Sequence, residues 1–211
     1  MSSSSAAAPL ARRAIPAQAR SAITVEKILD AATNILYERG LQGLNTNAVA
    51  ARASINVATL YHYFPDKVAI LAELFHRDQS QRTEYLMQRL EELPDVHSIE
   101  EWTSDLIHAI IDLRRQVPTT AALRQACRTV PQLLELEDAD NDRIIDHFSK
   151  VLRRRFRHLS PNRARHSARA LIEIGAALLD RASLDAEHAS GLIKETIIMI
   201  SAYLTQLDTG Y

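Results

Sequence analysis

The chain has 211 residues, of which 46% are hydrophobic and 5% aromatic, and its formal net charge is −1. It contains five glycines and a single cysteine, so glycine-rich phosphate loops are not expected and no intramolecular disulfide can form. No apolar run reaches the roughly 18 residues that a membrane helix needs, and the Ser/Ala-rich start lacks the pattern of a secretory signal. Composition therefore predicts a cytoplasmic, helix-rich protein with no membrane partner.

The first 20 residues are rich in Ser and Ala and contain two prolines, a composition that predicts a disordered arm. Arg12, Arg13 and Arg20 make this arm basic. Arg20 lies beside the first predicted helix, so we expect it to contact a phosphate group of a partner. Arg12 and Arg13 could also reach such a partner or belong to a loose, solvated tail.

A first helix is predicted at 22–39, ending at Gly40. Residues 46–63 then have the pattern of two short helices joined by a tight turn. Thr46 is predicted to cap the earlier of these two helices, because its hydroxyl can accept a hydrogen bond from a backbone N–H in the first turn. Small apolar residues follow at helical spacing, which indicates that they form the inward face of this helix.

Asn56 is predicted to cap the second short helix, which begins at Val57. Leu60 would face the core. The rest of the helix combines small residues near its start with hydrogen-bond donors further on, which is the combination that a DNA-recognition helix needs. Phe64-Pro65 would end it, and Asp66 would cap the helix after it. The residues predicted to lie on the outer face are Val57, Ala58, Thr59, Tyr61, His62 and Tyr63.

From about Arg20 to Leu74 the sequence resembles the DNA-binding domain of the TetR family of transcriptional regulators. The most specific part of the match is the run Thr59-Leu60-Tyr61-His62-Tyr63-Phe64-Pro65-Asp66-Lys67. One departure is Ser54, where the family usually has Gly; a left-handed backbone there costs a non-glycine residue about 1 kcal/mol or more. The resemblance and the helix pattern together predict these DNA-binding residues: Arg20, Thr46, Asn47, Asn56, Val57, Ala58, Thr59, Tyr61, His62, Tyr63 and Lys67.

Charge is distributed unevenly along the chain. Residues 1–67 contain seven Lys or Arg against four Asp or Glu, whereas the remainder contains eighteen against twenty-two. A basic reading head on an acidic body fits this distribution, although a solvated surface could also produce it.

The rest of the chain is predicted to be entirely helical, with no alternation typical of strands. Ser98 with Glu101 has capping-box spacing, and Pro131 is predicted to follow the end of a helix. The predicted helices cover 66–92, 98–116, 119–128, 138–158, 161–182 and 186–207. The expected architecture is all-α, with about nine helices: an arm at 1–20, a three-helix helix-turn-helix DNA-binding domain at 21–67, and a helical ligand-binding and dimerisation domain at 68–211.

A small-molecule pocket is predicted among the helices of the body, and its apolar lining favours an apolar or aromatic effector of unknown identity. Trp102 could instead be ordinary core packing, and Cys127 could be a small buried hydrophobe rather than a redox sensor. The predicted lining residues are Trp102, Leu106, Ile110, Cys127, His147 and Phe148.

The last two predicted helices have long apolar faces, and the final one is apolar around much of its girth, which predicts a cover from outside its own domain. In the family that the sequence resembles, these helices form a homodimeric four-helix bundle; burial within one subunit is the alternative. The predicted interface residues are Leu171, Ile174, Gly175, Leu178, Ile193, Ile197, Ile200 and Leu204.

Other functional classes have weaker support. The eight histidines show no metal-binding spacing and there is no nucleophile elbow, so no enzyme, metal site or cofactor is predicted. The basic run from Arg153 to His158 could be a second nucleic-acid patch, but cations at a helix C-terminus are the simpler interpretation. We therefore predict a sequence-specific regulator. It would be a ligand-released repressor that binds a palindromic operator as a homodimer. The alternatives are a helical adaptor and a constitutive DNA-binding protein without a sensor.

Overall fold

The computed structural model describes residues 19–116, 123, 126, 129–184 and 187–209. These residues form eight α-helices and one 3-10 turn, Leu93–Asp95, with no β-strand among them, so the all-α prediction is confirmed. The helix predicted at 119–128 falls mostly outside the described residues. The helices are α1 (Ala19–Gly43), α2 (Thr46–Arg52), α3 (Val57–Tyr63), α4 (Lys67–Glu92), α5 (Ile99–Gln116), α6 (Pro131–Arg155), α7 (Pro161–Leu184) and α8 (Ala189–Asp208).

The described residues fall into two compact units. The first contains α1 to α3, α4 as far as Gln79, and the described residues from 123 to 136; the second contains the remainder of α4 from Ser80, α5, α6 from Glu137, α7 and α8. The division of function at residue 67 remains a prediction. In the described helices no segment is both long and apolar enough to cross a membrane.

The core of the first unit is built from the apolar stripe of α1 and the inward residues of the short helices. Ile28, Leu36, Leu60, Phe64 and Leu71 are all at most 2% exposed and belong to one hydrophobic cluster. The inward residues of α1, among them Ile28 and Leu36, recur with the 3.6-residue period of an amphipathic helix. This packing fixes the orientation of α3.

Helix α1 changes direction at Gly40, where the backbone is non-helical, with φ 62° and ψ −167°. A positive φ of this size favours glycine, so the predicted end of the first helix is confirmed. The helix also begins earlier than predicted, at Ala19, so Arg20 belongs to α1 rather than to a disordered arm.

Proline positions explain a further difference from the sequence-based expectation. Pro131 was predicted to follow the end of a helix, but it is the first residue of α6. Proline is well tolerated there, because the first N–H of a helix has no intrahelical partner and the fixed φ suits the helix. Pro161 occupies the same position in α7.

The second unit is built around α8, which packs against α5 and α7. Ser167 and Tyr203 approach within 3.0 Å through their hydroxyls, and a Cβ placed on Gly175 would lie 3.5 Å from Cδ1 of Ile200. The interior contains Leu90, Trp102, Phe148 and other apolar side chains of one cluster.

Candidate functional site

The outward surface of α3 is the most specific site candidate. Asn56 caps the helix as predicted, its Oδ1 accepting a hydrogen bond from the N–H of Ala58 at 2.8 Å. Leu60 is completely buried, whereas Thr59 and His62 are exposed and Tyr61 is 42% exposed. Small residues therefore lie near the start of the helix and hydrogen-bonding side chains further along the exposed face.

Two residues predicted for this surface lie elsewhere. Tyr63 is only 8% exposed, and its ring meets that of His62 edge-on, with centroids 5.0 Å apart and planes 80° apart. Val57 is half-buried and packs against the core of the first unit. The outward orientation predicted for Tyr63 is wrong because Leu60 and Tyr63, three residues apart, share the inward face of the helix.

Helix α2 begins differently from the prediction. Asn45, not Thr46, is its N-cap, and the Asn45 Oδ1 accepts a hydrogen bond from the N–H of Ala48 at 2.9 Å. Thr46 is the first helical residue and half-buried, and its hydroxyl lies 3.1 Å from that of Tyr61. Asn47 is exposed, as a DNA-contacting residue must be.

The turn between α2 and α3 contains Ser54 with φ 55°. This φ lies in the left-handed region, as expected for a position where the family usually has Gly. A non-glycine residue there is strained by roughly 1–2 kcal/mol. Within the described residues, Ser54 is the sole non-glycine residue with positive φ.

Helix α4 starts at the edge of this surface. Asp66 Oδ1 accepts a hydrogen bond from the N–H of Ala69 at 2.8 Å, so the predicted cap is confirmed. Lys67, the first residue of α4, is exposed. A cation beside a helix N-terminus is well placed to hold a phosphate. The side chain of Arg20, the other predicted phosphate contact, lies outside the described residues.

Ion pairs that the sequence does not predict link the helices that carry this surface. Arg52 donates to both carboxylate oxygens of Glu38, at 2.9 and 2.7 Å, which joins α2 to α1 and lowers the pKa of Glu38. Arg77 of α4 donates to both oxygens of Glu26 in α1, at 2.7 and 2.8 Å, and this pairing raises the pKa of Arg77. Glu26 and Arg77 are 51 residues apart, and no local pattern predicts such a pair.

The predicted ligand-pocket residues that the structure describes all lie in the second unit. Trp102, Leu106 and Phe148 are at most 6% exposed and belong to one hydrophobic cluster, against which Ile110 packs. His147 lies at the edge, with Nε2 3.0 Å from a carboxylate oxygen of Glu91. Cys127 lies outside the described residues.

The predicted dimer residues separate into two groups. Leu171, Gly175 and Leu204 are buried within the single chain, where their side of each helix packs inside the subunit, so they do not belong to the surface left for a second copy. Ile174 is 44% exposed, and Leu178, Ile193, Ile197 and Ile200 are half-buried. Ile198 and Met199, outside the predicted set, are 46% and 48% exposed.

The basic run near the end of α6 has structural partners. Arg155 donates to the backbone carbonyls of Pro94 and Val96, at 2.9 and 3.0 Å. Arg154 pairs with Glu91 at 2.5 Å. The last turn of α6 contains Arg153, Arg154 and Arg155, which agrees with cations at a helix C-terminus. No group of three potential metal ligands occurs in the part of the chain that the structure describes.

Two family models match this sequence. The model described as bacterial regulatory proteins, tetR family, matches residues 28–74, which include α2, α3 and the start of α4. The model described as tetracyclin repressor-like, C-terminal domain, matches residues 98–204. The chain belongs to the TetR family. It is a TetR-family transcriptional regulator, and the family assignment made from Thr59 to Lys67 is confirmed.

Curated relatives match only the region around the helix-turn-helix. The HTH-type transcriptional repressor KstR of Mycolicibacterium smegmatis is 42% identical over 53 residues, 25% of this chain and 26% of that protein. KstR of Mycobacterium tuberculosis is 42% identical over 55 residues, 26% of this chain and 25% of that protein. This regulator therefore matches about a quarter of the length of these relatives.

Solved structures share the fold over nearly the whole chain. A TetR-like transcriptional regulator from Rhodococcus sp. RHA1 has a TM-score of 0.59 at 21% identity, covering 90% of this chain and 98% of that chain. A putative TetR-family regulator from Mesorhizobium loti has a TM-score of 0.66 at 18% identity, covering 89% and 98%. At these identities the likeness establishes the fold of this TetR-family regulator and nothing finer.

Proposed function

We propose that this regulator is a homodimeric repressor that binds a roughly palindromic operator and leaves it when a small molecule binds the body. The observation that carries the proposal is the exposed face of α3, with Ala58 and Thr59 near its capped start and Tyr61 and His62 further along. Small residues permit close approach to base edges, and the later side chains can donate to phosphates.

The DNA contacts proposed on this basis divide by role. Thr59 and Ala58 are exposed in the first turns of α3 and would read base edges. Tyr61 and Lys67 would hold phosphates, and Asn47 and His62 would lie on the same exposed side. Two copies of α3 would enter successive major grooves about 34 Å apart.

The dimer follows from apolar side chains that one chain leaves uncovered. Three large apolar side chains are each more than 40% exposed: Ile174 on α7, and Ile198 and Met199 on α8. These helices pack against each other within the chain, so their uncovered residues can combine into one patch. Removing such a patch from water stabilises association, and a second copy offers a matching patch under two-fold symmetry.

The sensing role rests on the apolar interior of the second unit. Trp102, Leu106 and Phe148 are buried in a shared cluster, and a small apolar effector that prefers the geometry unable to bind DNA would shift the population toward it. Operator DNA must then weaken effector binding by the same factor.

The proposal is tested by capturing genomic fragments with the purified protein and titrating the best fragment in a gel-shift assay. We expect binding by two chains per site and release by members of a metabolite library. Thr59→Ala should alter the preferred sequence, with Lys150→Ala, an exposed change in the second unit, as its control. Binding that no compound reverses would support a constitutive DNA-binding protein, and no binding at all would leave an adaptor role.

A further inference from the structure

Trp102 has a hydrogen-bonding group that the described residues of the chain do not satisfy. The side chain is 5% exposed, and its indole Nε1 is buried with no hydrogen-bond partner among the described residues. An indole N–H can only donate, and a buried donor without an acceptor destabilises a fold. The indole N–H is therefore available to an acceptor that a ligand brings.

The surroundings of Trp102 favour a ligand over an ordered water as that acceptor. A buried water needs two to four polar partners, and the hydrophobic side chains that cluster with Trp102, among them Leu90, Leu106 and Phe148, offer it none. A ligand with an apolar skeleton can bring a single acceptor into such a place, because its remaining surface prefers hydrocarbon contacts.

The charge of the ligand can also be inferred. The buried side chains that cluster with Trp102 carry no charge. An anion placed beside a neutral donor in apolar surroundings would lack a counter-charge and would be strongly disfavoured. A neutral oxygen, such as that of a ketone, ester or amide, has no such cost.

We propose that the effector of this regulator is a neutral, largely apolar molecule with one hydrogen-bond-accepting oxygen, and that the indole N–H of Trp102 donates to this oxygen. The proposal rests on the proposed sensing function and adds the ligand class and the residue that selects it. It narrows the expectation of an apolar or aromatic effector, because a hydrocarbon would leave the indole unpaired.

Thr103 provides a matched control. Its hydroxyl is also buried without a partner among the described residues, and it is 0% exposed. Adjacent helical residues point about 100° apart, so its hydroxyl and the indole face different neighbours. Thr103→Val, which keeps the shape and removes the hydroxyl, should leave recognition at Trp102 unchanged.

The test uses the fact that Trp102 is the single tryptophan of the chain. A proton–nitrogen NMR spectrum of the full-length, DNA-free protein should therefore contain one indole N–H resonance. The probes are three matched pairs of increasing size: acetophenone and ethylbenzene, 1-tetralone and tetralin, and 9-fluorenone and fluorene. At least one ketone should move the indole resonance downfield, whereas its hydrocarbon partner should not.

A second measurement uses calorimetry. Trp102→Phe should weaken the bound ketone about fivefold without changing the affinity of its hydrocarbon partner, and Thr103→Val should change neither. If Trp102→Phe does not fold, the NMR comparison on the wild-type protein decides alone. Equal shifts from ketone and hydrocarbon, no shift with any pair, or magnetisation transfer from a long-lived bound water to the indole would each overturn the proposal.

The two proposals can fail separately. A silent indole resonance in a protein that binds its operator and is released by other compounds overturns the role of Trp102 and leaves the regulator intact. A ketone that engages the indole without changing operator affinity supports the ligand class and contradicts its part in release.

Discussion

The hydroxyls of Tyr61 in α3 and Thr46 in α2 lie 3.1 Å apart. Tyr61 is 42% exposed while Thr46 is half-buried, so the contact holds an exposed ring of α3 against the start of the neighbouring helix. This orientation presents the tyrosine hydroxyl at the outer surface, where it can turn from threonine to a DNA phosphate.

Replacing Tyr61 by Phe should therefore weaken operator binding about ten- to a hundredfold, the loss expected for one hydrogen bond to a charged group, and by a similar factor on unrelated DNA. Fluorescence anisotropy on the two duplexes measures both effects. Tyr37→Phe, which removes the hydroxyl of a tyrosine that is 70% exposed on α1, serves as the control and should leave both affinities unchanged. A Tyr61→Phe protein with wild-type affinity would show that the hydroxyl serves folding alone.

Lys67→Ala should weaken binding to all sequences about equally and reduce the slope of log K against log salt by about one unit, because one phosphate contact is lost. Lys67 is exposed at the first position of α4. Lys150→Ala removes an exposed lysine from the second unit and should leave the slope unchanged. Equal slopes for wild type and Lys67→Ala would remove Lys67 from the interface.

Ser54→Gly should stabilise the protein by ~1 kcal/mol, since glycine relieves the left-handed strain at φ 55°. For a chain of this size the midpoint of thermal unfolding should rise by about 2–4 °C. Gly40→Ala is the opposite control: φ is 62°, and nothing lies within 4 Å of the added Cβ, so only backbone strain should appear, as a lower midpoint. A lower midpoint for Ser54→Gly would contradict the assignment of strain to Ser54.

The helix ends and caps of the first unit could be predicted because they depend on short sequence patterns. Asn56, Asp66 and Gly40 ended or capped helices as expected, since capping depends on residues within one turn. The cap predicted at Thr46 is wrong for the same local reason, because Asn45, one position earlier, caps the helix instead. Tyr63 was misplaced because a seven-residue helix gives too few residues to fix its inward face.

Long-range features could not be predicted. The pair of Arg77 with Glu26 depends on how α4 packs on α1, and the burial of Gly175 and Leu204 depends on which side of α7 meets α8. Helix α8 is apolar around much of its girth, so periodicity alone does not separate contacts within the chain from a surface left for a second copy.

Ile174→Arg should produce monomers at micromolar concentration in sedimentation experiments and abolish operator binding, because the arginine would be desolvated in an apolar interface. Ile174 is 44% exposed in the single chain, so the change should not disturb folding. Ile23→Arg, at an α1 position that is 56% exposed, controls for a general effect of added charge. Dimers that persist in Ile174→Arg would place the interface elsewhere.

Lowering the pH should weaken the ion pair that links α1 to α2. The guanidinium of Arg52 lowers the pKa of Glu38 below its ordinary 4.5, so the stabilisation from this pair is complete above that pH and is lost as the pH falls through the lowered value. Urea unfolding at pH 7 should show wild type to be more stable than Glu38→Gln, and the difference should shrink as the pH is lowered below 4.5. A difference that stays constant between these pH values would contradict the ion-pair assignment.

The central claim is that two copies of α3 read DNA as a symmetric pair, and hydroxyl-radical footprinting on a genomic fragment captured by the protein tests it most directly. The account predicts two protected segments related by a dyad, with centres one helical turn, about 34 Å, apart, and loss of both in Ile174→Arg. A single protected segment, or protection with no two-fold relation at physiological salt, would contradict it.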